Sequence, residues 1–279
     1  MALDQISDSP EEEMGFLDHL EELRWHLVRA VASVLVFSVI AFFFKDFIFD
    51  VLILGPTESN FWTYRMLCEL STVLDTPALC LEPFEMDIQN RNITGQFVWH
   101  IKSSLVVGLL IAFPYAFWEI WRFVKPGLRS NEKKASRGIV FVVTVLFLSG
   151  VVFGYFIVTP LSFNFLQNYM LSPKIDNNYD LSNIIGMVAT LSLACGLMFQ
   201  LPVVTYILSK AGIVTPKLMR SYRRHSFVVI LVISAIITPP DVMSQVLIAL
   251  PLTFLYEVSI LVSKRIERKR IIREQEEAL

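Results

Sequence analysis

Three carboxylates, Asp18, Glu21 and Glu22, stand in the stretch GFLDHLEELRWHLVRAV (residues 15–31), where a long apolar run begins. A carboxylate at a partly dry boundary accepts hydrogen bonds from cations, and a guanidinium meets it through two parallel N–H···O bonds that an ammonium cannot reproduce. In a generic helix such acids do less: they keep an exposed turn soluble and pair with Arg24 or a nearby lysine, at ~0–1 kcal/mol. Two further polar side chains, Gln200 and Glu257, fall inside apolar segments, where burial is costly and a purpose is expected. That purpose is either a hydrogen bond tying two helices together or a docking point for another helix. His19 and His26 share a helical face, with no thiol or acid completing a metal site, and read as ordinary interface residues. No phosphate-binding loop, HExxH, nucleophile elbow or zinc-spaced Cys/His pair occurs. Enzymatic chemistry, cofactors, metals and nucleic-acid binding are therefore not expected; a receptor or scaffold, a channel and a transporter remain.

The elements that position these residues are membrane spans. Of 279 residues, 54% are hydrophobic, and they come in blocks long enough to cross a bilayer, such as GIVFVVTVLFLSGVVFGYFIV. The reading is an all-α integral membrane protein with six transmembrane helices near residues 23–44, 97–118, 138–158, 183–208, 225–238 and 245–262. Lys and Arg concentrate in the loop after the second span (Arg122 to Arg137), the loop after the fourth (Lys210 to Arg224) and the tail 263–279. The other face carries only Lys45, Arg65, Arg91 and Lys174, so both termini are expected to be cytoplasmic. The first segment opens acidic and lacks a small-residue cleavage pattern, so it is read as a retained span.

Ser9, Pro10 and Glu12 form a capping-box start for the first helix, ahead of an apolar stripe at Met14, Leu17, Leu20, Leu23 and Leu27. Pro114, Pro202 and Pro251 should bend or interrupt the second, fourth and sixth spans, leaving a kinked bundle. The fifth span has only about 13 apolar residues, roughly 20 Å of helix, against a hydrocarbon core of about 30 Å. Local thinning of the bilayer, or recruitment of a short partner, follows. The whole chain reads as one membrane domain, with a long external loop, 45–96, forming a small cap of short helices. Cys68 and Cys80 in that loop are equally readable as a disulfide or as two thiols, and Cys195 as a small packing residue. In the external TPPD turn, Asp241 and Gln245 either cap the sixth helix or touch cargo; the cap is the simpler reading.

The run HLEELR, His19 to Arg24, resembles the HLxELR motif of the TatC family, the receptor subunit of the twin-arginine protein translocase. The resemblance continues through FPYAFWEIWRFVKPGLRSNEKK, with Pro114, Phe123, Pro126, Gly127, Leu128 and Glu132 in register, then FQLPVV, GIVTPKLMRSYRRH and TPPDVMSQVLIALPL. Two departures stand out. Gln200 occupies a place where many members carry Glu, and the first external loop is longer than the family's compact version.

The resemblance implies a core subunit of the bacterial inner membrane that binds twin-arginine signal peptides and exports folded proteins at the expense of the proton gradient. It also implies a concave face on the bundle, with single-span TatA/TatB-type proteins, other copies of the chain and membrane lipid as partners. Glu22 and Glu132 would then take the two arginines, with Arg24, Leu20, Phe123 and Pro126 around them. Gln200 and Glu257, about 15 Å and about 10 Å from the cytoplasmic boundary at 1.5 Å per residue, would form a docking groove with Phe199 and Pro202. The competing reading is a secondary transporter of a small solute with a polar intramembrane site; it calls for inverted repeats, and none is visible.

Overall fold

A computed structural model describes residues 16–77, 80–81, 86–124, 138–172, 174, 177–238 and 242–277. The capping box at Ser9 to Glu12, and Pro126, Glu132 and Asp241, lie outside the described residues. The first helix, α1 (Phe16–Phe43), packs along α3 (Gly95–Val124). Between them lie a π-helical turn, Phe47–Ile53, and the short helix α2 (Trp62–Val73). A third long span, Ile139–Asn168, runs as α4 (Ile139–Phe153), a π-helical turn (Gly154–Val158) and α5 (Thr159–Asn168). The fourth, Leu181–Lys210, is broken into α6 (Leu181–Met198) and α7 (Leu201–Lys210). Then come α8 (Pro216–Ser221), α9 (Arg223–Ile237) and α10 (Val242–Glu277).

Five of these helices are long and apolar enough to cross a membrane: Glu21–Phe43, Gly95–Val124, Ile139–Asn168, Leu181–Lys210 and Ser244–Ile272. Large apolar side chains such as Phe43, Phe141, Leu250 and Phe254 remain exposed on them, an arrangement stable only against lipid. At 15 residues, α9 is roughly 22 Å long, short of the ~20 residues a span ordinarily needs. Spin labels flanking α9 in bilayers are expected to report interfaces several ångströms closer than normal, and an ordinary separation would remove the mismatch.

The core is built where Val158, Leu191, Cys195, Ile230, Ile248 and Leu252 interlock, with Cys195 the packing residue its type suggests. The α4 to α6 contact depends on Gly150 and Gly154, four residues apart. A Cβ on Gly150 would stand 2.5 Å from the Cys195 carbonyl oxygen, and one on Gly154 2.7 Å from that of Leu191. Only hydrogen at both places lets the backbones meet.

The prolines act unequally. Pro114 and Pro251 lie inside continuous helices, whereas Pro202 stands in the first turn of α7, just after the break at Phe199 and Gln200. The second and third spans extend beyond the expected ends at 118 and 158, to Val124 and Asn168, and the tail continues α10 as helix through Glu277. In segment 45–96 a Cys68–Cys80 disulfide closes the end of α2, so the pair is bonded and the thiol alternative falls. Pro160 has no N–H, which frees the Phe156 carbonyl; the Thr63 hydroxyl donates to it, and the buried Tyr64 hydroxyl lies 2.8 Å from the Pro160 carbonyl oxygen. A two-residue parallel pairing of Ile88–Gln89 with Tyr179–Asp180 fastens the same segment to the start of α6. Asp180 caps that helix through the Ser182 N–H at 2.8 Å, and the bonds from the Ser182 hydroxyl and N–H hold its carboxyl below the ordinary range.

Candidate functional site

Where α1 begins and α3 ends, side chains at i, i+4 and i+7 of one helix face i and i+4 of the other. Glu22, His26 and Arg29 share one side of α1; Tyr115, Glu119 and Phe123 share one side of α3. Glu119 is 1% exposed and His26 5%. The His26 Nδ1–H donates to Glu119 Oε2 at 2.6 Å, and the Tyr115 hydroxyl donates to Oε1 at 2.9 Å. Arg29 Nε approaches Oε2 at 3.4 Å. Arg29 Nη2 also stands 3.2 Å from His26 Nδ1, but a nitrogen that donates to Glu119 cannot accept from Arg29, so the ion pair with Glu119 defines that contact. The Phe123 ring lies 6.5 Å from the imidazole, centroid to centroid. A carboxylate in an apolar helix is thus matched by two donors and a guanidinium, as burial of a charge demands.

One turn toward the start of α1, about 6 Å along the axis, lies Glu22. It is half-buried, and its Oε2 is shielded from solvent yet meets no donor among the described residues. A shielded, unsatisfied carboxylate oxygen costs stability and is a ready acceptor for an arriving donor. Its neighbours differ. Arg24 and Glu21 form a loose pair at 3.8 Å with both side chains about two-thirds exposed, and the Arg24 guanidinium sits 5.6 Å from the Trp25 ring centroid. Leu20 belongs to α1; Phe123 stands in the cluster.

The intramembrane polar residues separate into two settings. At the break between α6 and α7, the Gln200 amide nitrogen donates to the Val143 carbonyl of α4 at 3.1 Å, while its Oε1 is buried with no donor among the described residues. Phe199 leans on Phe153 at 5.7 Å between centroids, and Pro202 is buried beside it. Glu257 receives Arg223 Nη2 of α9 at 2.6 Å, with both side chains about half exposed. No hydrogen bond or ion pair among the described residues joins Gln200 to Glu257. The Gln245 amide donates to the Leu231 carbonyl at 3.1 Å and ties α10 to α9.

Sequence reasoning passes over Glu119, Tyr115 and Arg29, and it treats His26 as ordinary. The available signal was the lone acid in AFWEIW: ending the second span at 118 puts Glu119 just outside the membrane, whereas α3 continues to Val124 with Glu119 buried.

The family model described as "Sec-independent protein translocase protein (TatC)" matches residues 18–251. The chain is 36% identical over 260 residues to the Sec-independent protein translocase protein TatC of Blattabacterium sp. subsp. Periplaneta americana, covering 92% of this chain and 98% of that protein. It is 35% identical over 258 residues to the TatC of Aquifex aeolicus, with the same coverage. Among solved structures, a crystal structure described as the twin arginine translocase receptor TatC superposes with a TM-score of 0.68 at 34% identity, covering 89% of this chain and 99% of that one. A second, of the receptor in DDM, gives 0.69 at 34% identity.

Proposed function

Because the chain belongs to the TatC family of Sec-independent protein translocase proteins, and is accordingly a multispanning, non-enzymatic translocase subunit of the membrane, we propose that it is the receptor that reads the arginine pair of a cargo signal peptide. Glu22 and Glu132 take one arginine each, at a cytoplasmic mouth. The observation that carries this reading is the Glu22 carboxylate oxygen, shielded and without a donor, one turn from a buried cluster that holds its helix in place. A guanidinium satisfies such an oxygen with a bidentate, charge-assisted contact; a lysine offers only a point charge. The surrounding Lys and Arg fix the topology, with six spans and both termini cytoplasmic, and repel basic peptides that do not fit.

Export then requires partners, and the reading extends to single-span TatA/TatB-type proteins and to further copies of the chain, driven by the proton gradient. The free Oε1 of Gln200, at a broken helix with a buried proline, is the acceptor we assign to a polar side chain near the end of a partner helix. Glu257 is already engaged by Arg223 of α9. One crosslinking experiment tests both sites. A photoreactive residue at position 25 or 131 should capture a di-arginine signal peptide and not its di-lysine counterpart. Gln200→Leu should abolish partner-helix capture and export, Gln200→Glu should retain both, and peptide capture should survive in each. Equal capture of the di-lysine peptide would overturn the receptor reading, and intact partner capture in Gln200→Leu would move the docking surface elsewhere.

A further inference from the structure

Between the start of α9 and the middle of α10 lies a cleft of about 320 Å³, lined by Arg223, Arg224, Phe227, Ile230, Thr253, Tyr256 and Glu257. That is room for roughly ten waters. Its polar groups are unequally committed. The Thr253 hydroxyl donates to the Ala249 carbonyl at 2.7 Å and the Tyr256 hydroxyl to that of Met219 at 2.9 Å, so neither is seeking a partner. Glu257 neutralises Arg223 at 2.6 Å. Arg224 has no counter-ion among the described residues. The three charges leave the cleft one positive charge in excess, and nothing nearby in the chain removes it: from Leu181 to Pro240 the sequence contains no Asp or Glu.

The walls beyond the arginines are of the opposite character. Phe227 is half exposed, and Val228, Val232 and Phe254 on the adjoining faces of α9 and α10 are exposed as well. Arg223 and Arg224 open the first turn of α9, so the cleft sits at the charged end of an otherwise apolar helix. A ligand for this place needs a single negative charge with a flat oxygen set for guanidinium at one end, and a long apolar body that follows the helix pair at the other.

We propose that the α9/α10 cleft binds an anionic phospholipid, with the phosphodiester held between Arg223 and Arg224 and an acyl chain along Phe227 and Phe254. Glu257 tunes the site: by holding Arg223 it limits the cleft to one net charge. Zwitterionic lipid carries its own ammonium, which meets the same arginines unfavourably, so it is selected against.

The test uses the full chain purified in neutral detergent and titrated with phosphatidylglycerol or phosphatidylcholine, with bound lipid counted by native mass spectrometry. The parent should retain phosphatidylglycerol at least about 5-fold better, one charged contact being worth about 1 kcal/mol near a membrane surface. Arg224→Gln should erase the preference, Glu257→Gln should strengthen it by freeing Arg223, and Lys217→Gln, on α8, should leave it unchanged. Inorganic phosphate at millimolar concentration should not displace the lipid, because the apolar contact is missing from it. The proposal is overturned if Arg224→Gln keeps the preference, if Glu257→Gln weakens it, if phosphate competes equally, or if Arg224→Gln spares lipid but loses capture of a single-span partner, which would make the cleft a protein contact. Circular dichroism of each variant excludes misfolding as the cause of a loss.

Discussion

Glu22→Gln should weaken binding of a di-arginine signal peptide by roughly 10-fold or more, with insertion and thermal stability unchanged. Gln keeps the size and one acceptor oxygen of Glu but removes the charge and the second equivalent oxygen, so a bidentate guanidinium contact falls to a single neutral bond. A charge-assisted hydrogen bond contributes roughly 1.5–3 kcal/mol when well made, and about 1.4 kcal/mol is tenfold in affinity. Because Glu22 is only half-buried, screening holds the expectation near the low end. Glu132→Gln should act in the same direction, and the double variant should bind a di-arginine peptide no better than a di-lysine one. Isothermal titration with the peptide is the measurement. If both single variants bind like the parent, the two carboxylates are not the readers.

Glu119→Ala is expected to be more damaging, because it breaks a buried pair rather than an exposed one. Removing one partner of such a pair costs roughly 3–5 kcal/mol when the other is left buried and charged. Here the Arg29 left behind is about half exposed and can turn to solvent, which places the loss near the low end, about 3 kcal/mol. Thermal unfolding in detergent should show it. The combined variant His26→Phe with Glu119→Leu replaces the pair by apolar packing and should recover most of the stability. It should nonetheless bind signal peptide several-fold more weakly, because the bond that sets the rotation of α1 on α3, one turn from Glu22, is gone. A double variant that is stable and binds like the parent would reduce the cluster to internal glue.

The long spans are legible in the sequence because block length and the absence of charge decide them almost alone, and HLEELR places Glu22 where the structure has it, near the start of α1. What is not legible depends on pairing across the fold. Glu119 is one acid at the edge of an apolar run, and only the approach of His26 from another helix, 93 residues away in the chain, turns it from an interfacial residue into a buried one. Gln200 and Glu257 look like one patch when depth is the only coordinate, since depth says nothing of which way a helix face points; Val143 and Arg223 claim them separately. The Cys68–Cys80 bridge is likewise undecided by spacing and follows from the α2 end folding back.

The shortness of α9 has an electrical meaning. Where lipid conforms to a helix of 15 residues, roughly 22 Å, a given membrane voltage falls over about three-quarters of the usual 30 Å, and the local field rises in proportion. The total work on a crossing charge, about 2.3 kcal/mol per 100 mV, is unchanged, but it is delivered over a shorter path. If the bilayer thins beside α9, the force per charge is larger there than along the long spans, and the low-dielectric barrier, which grows with thickness, is thinner.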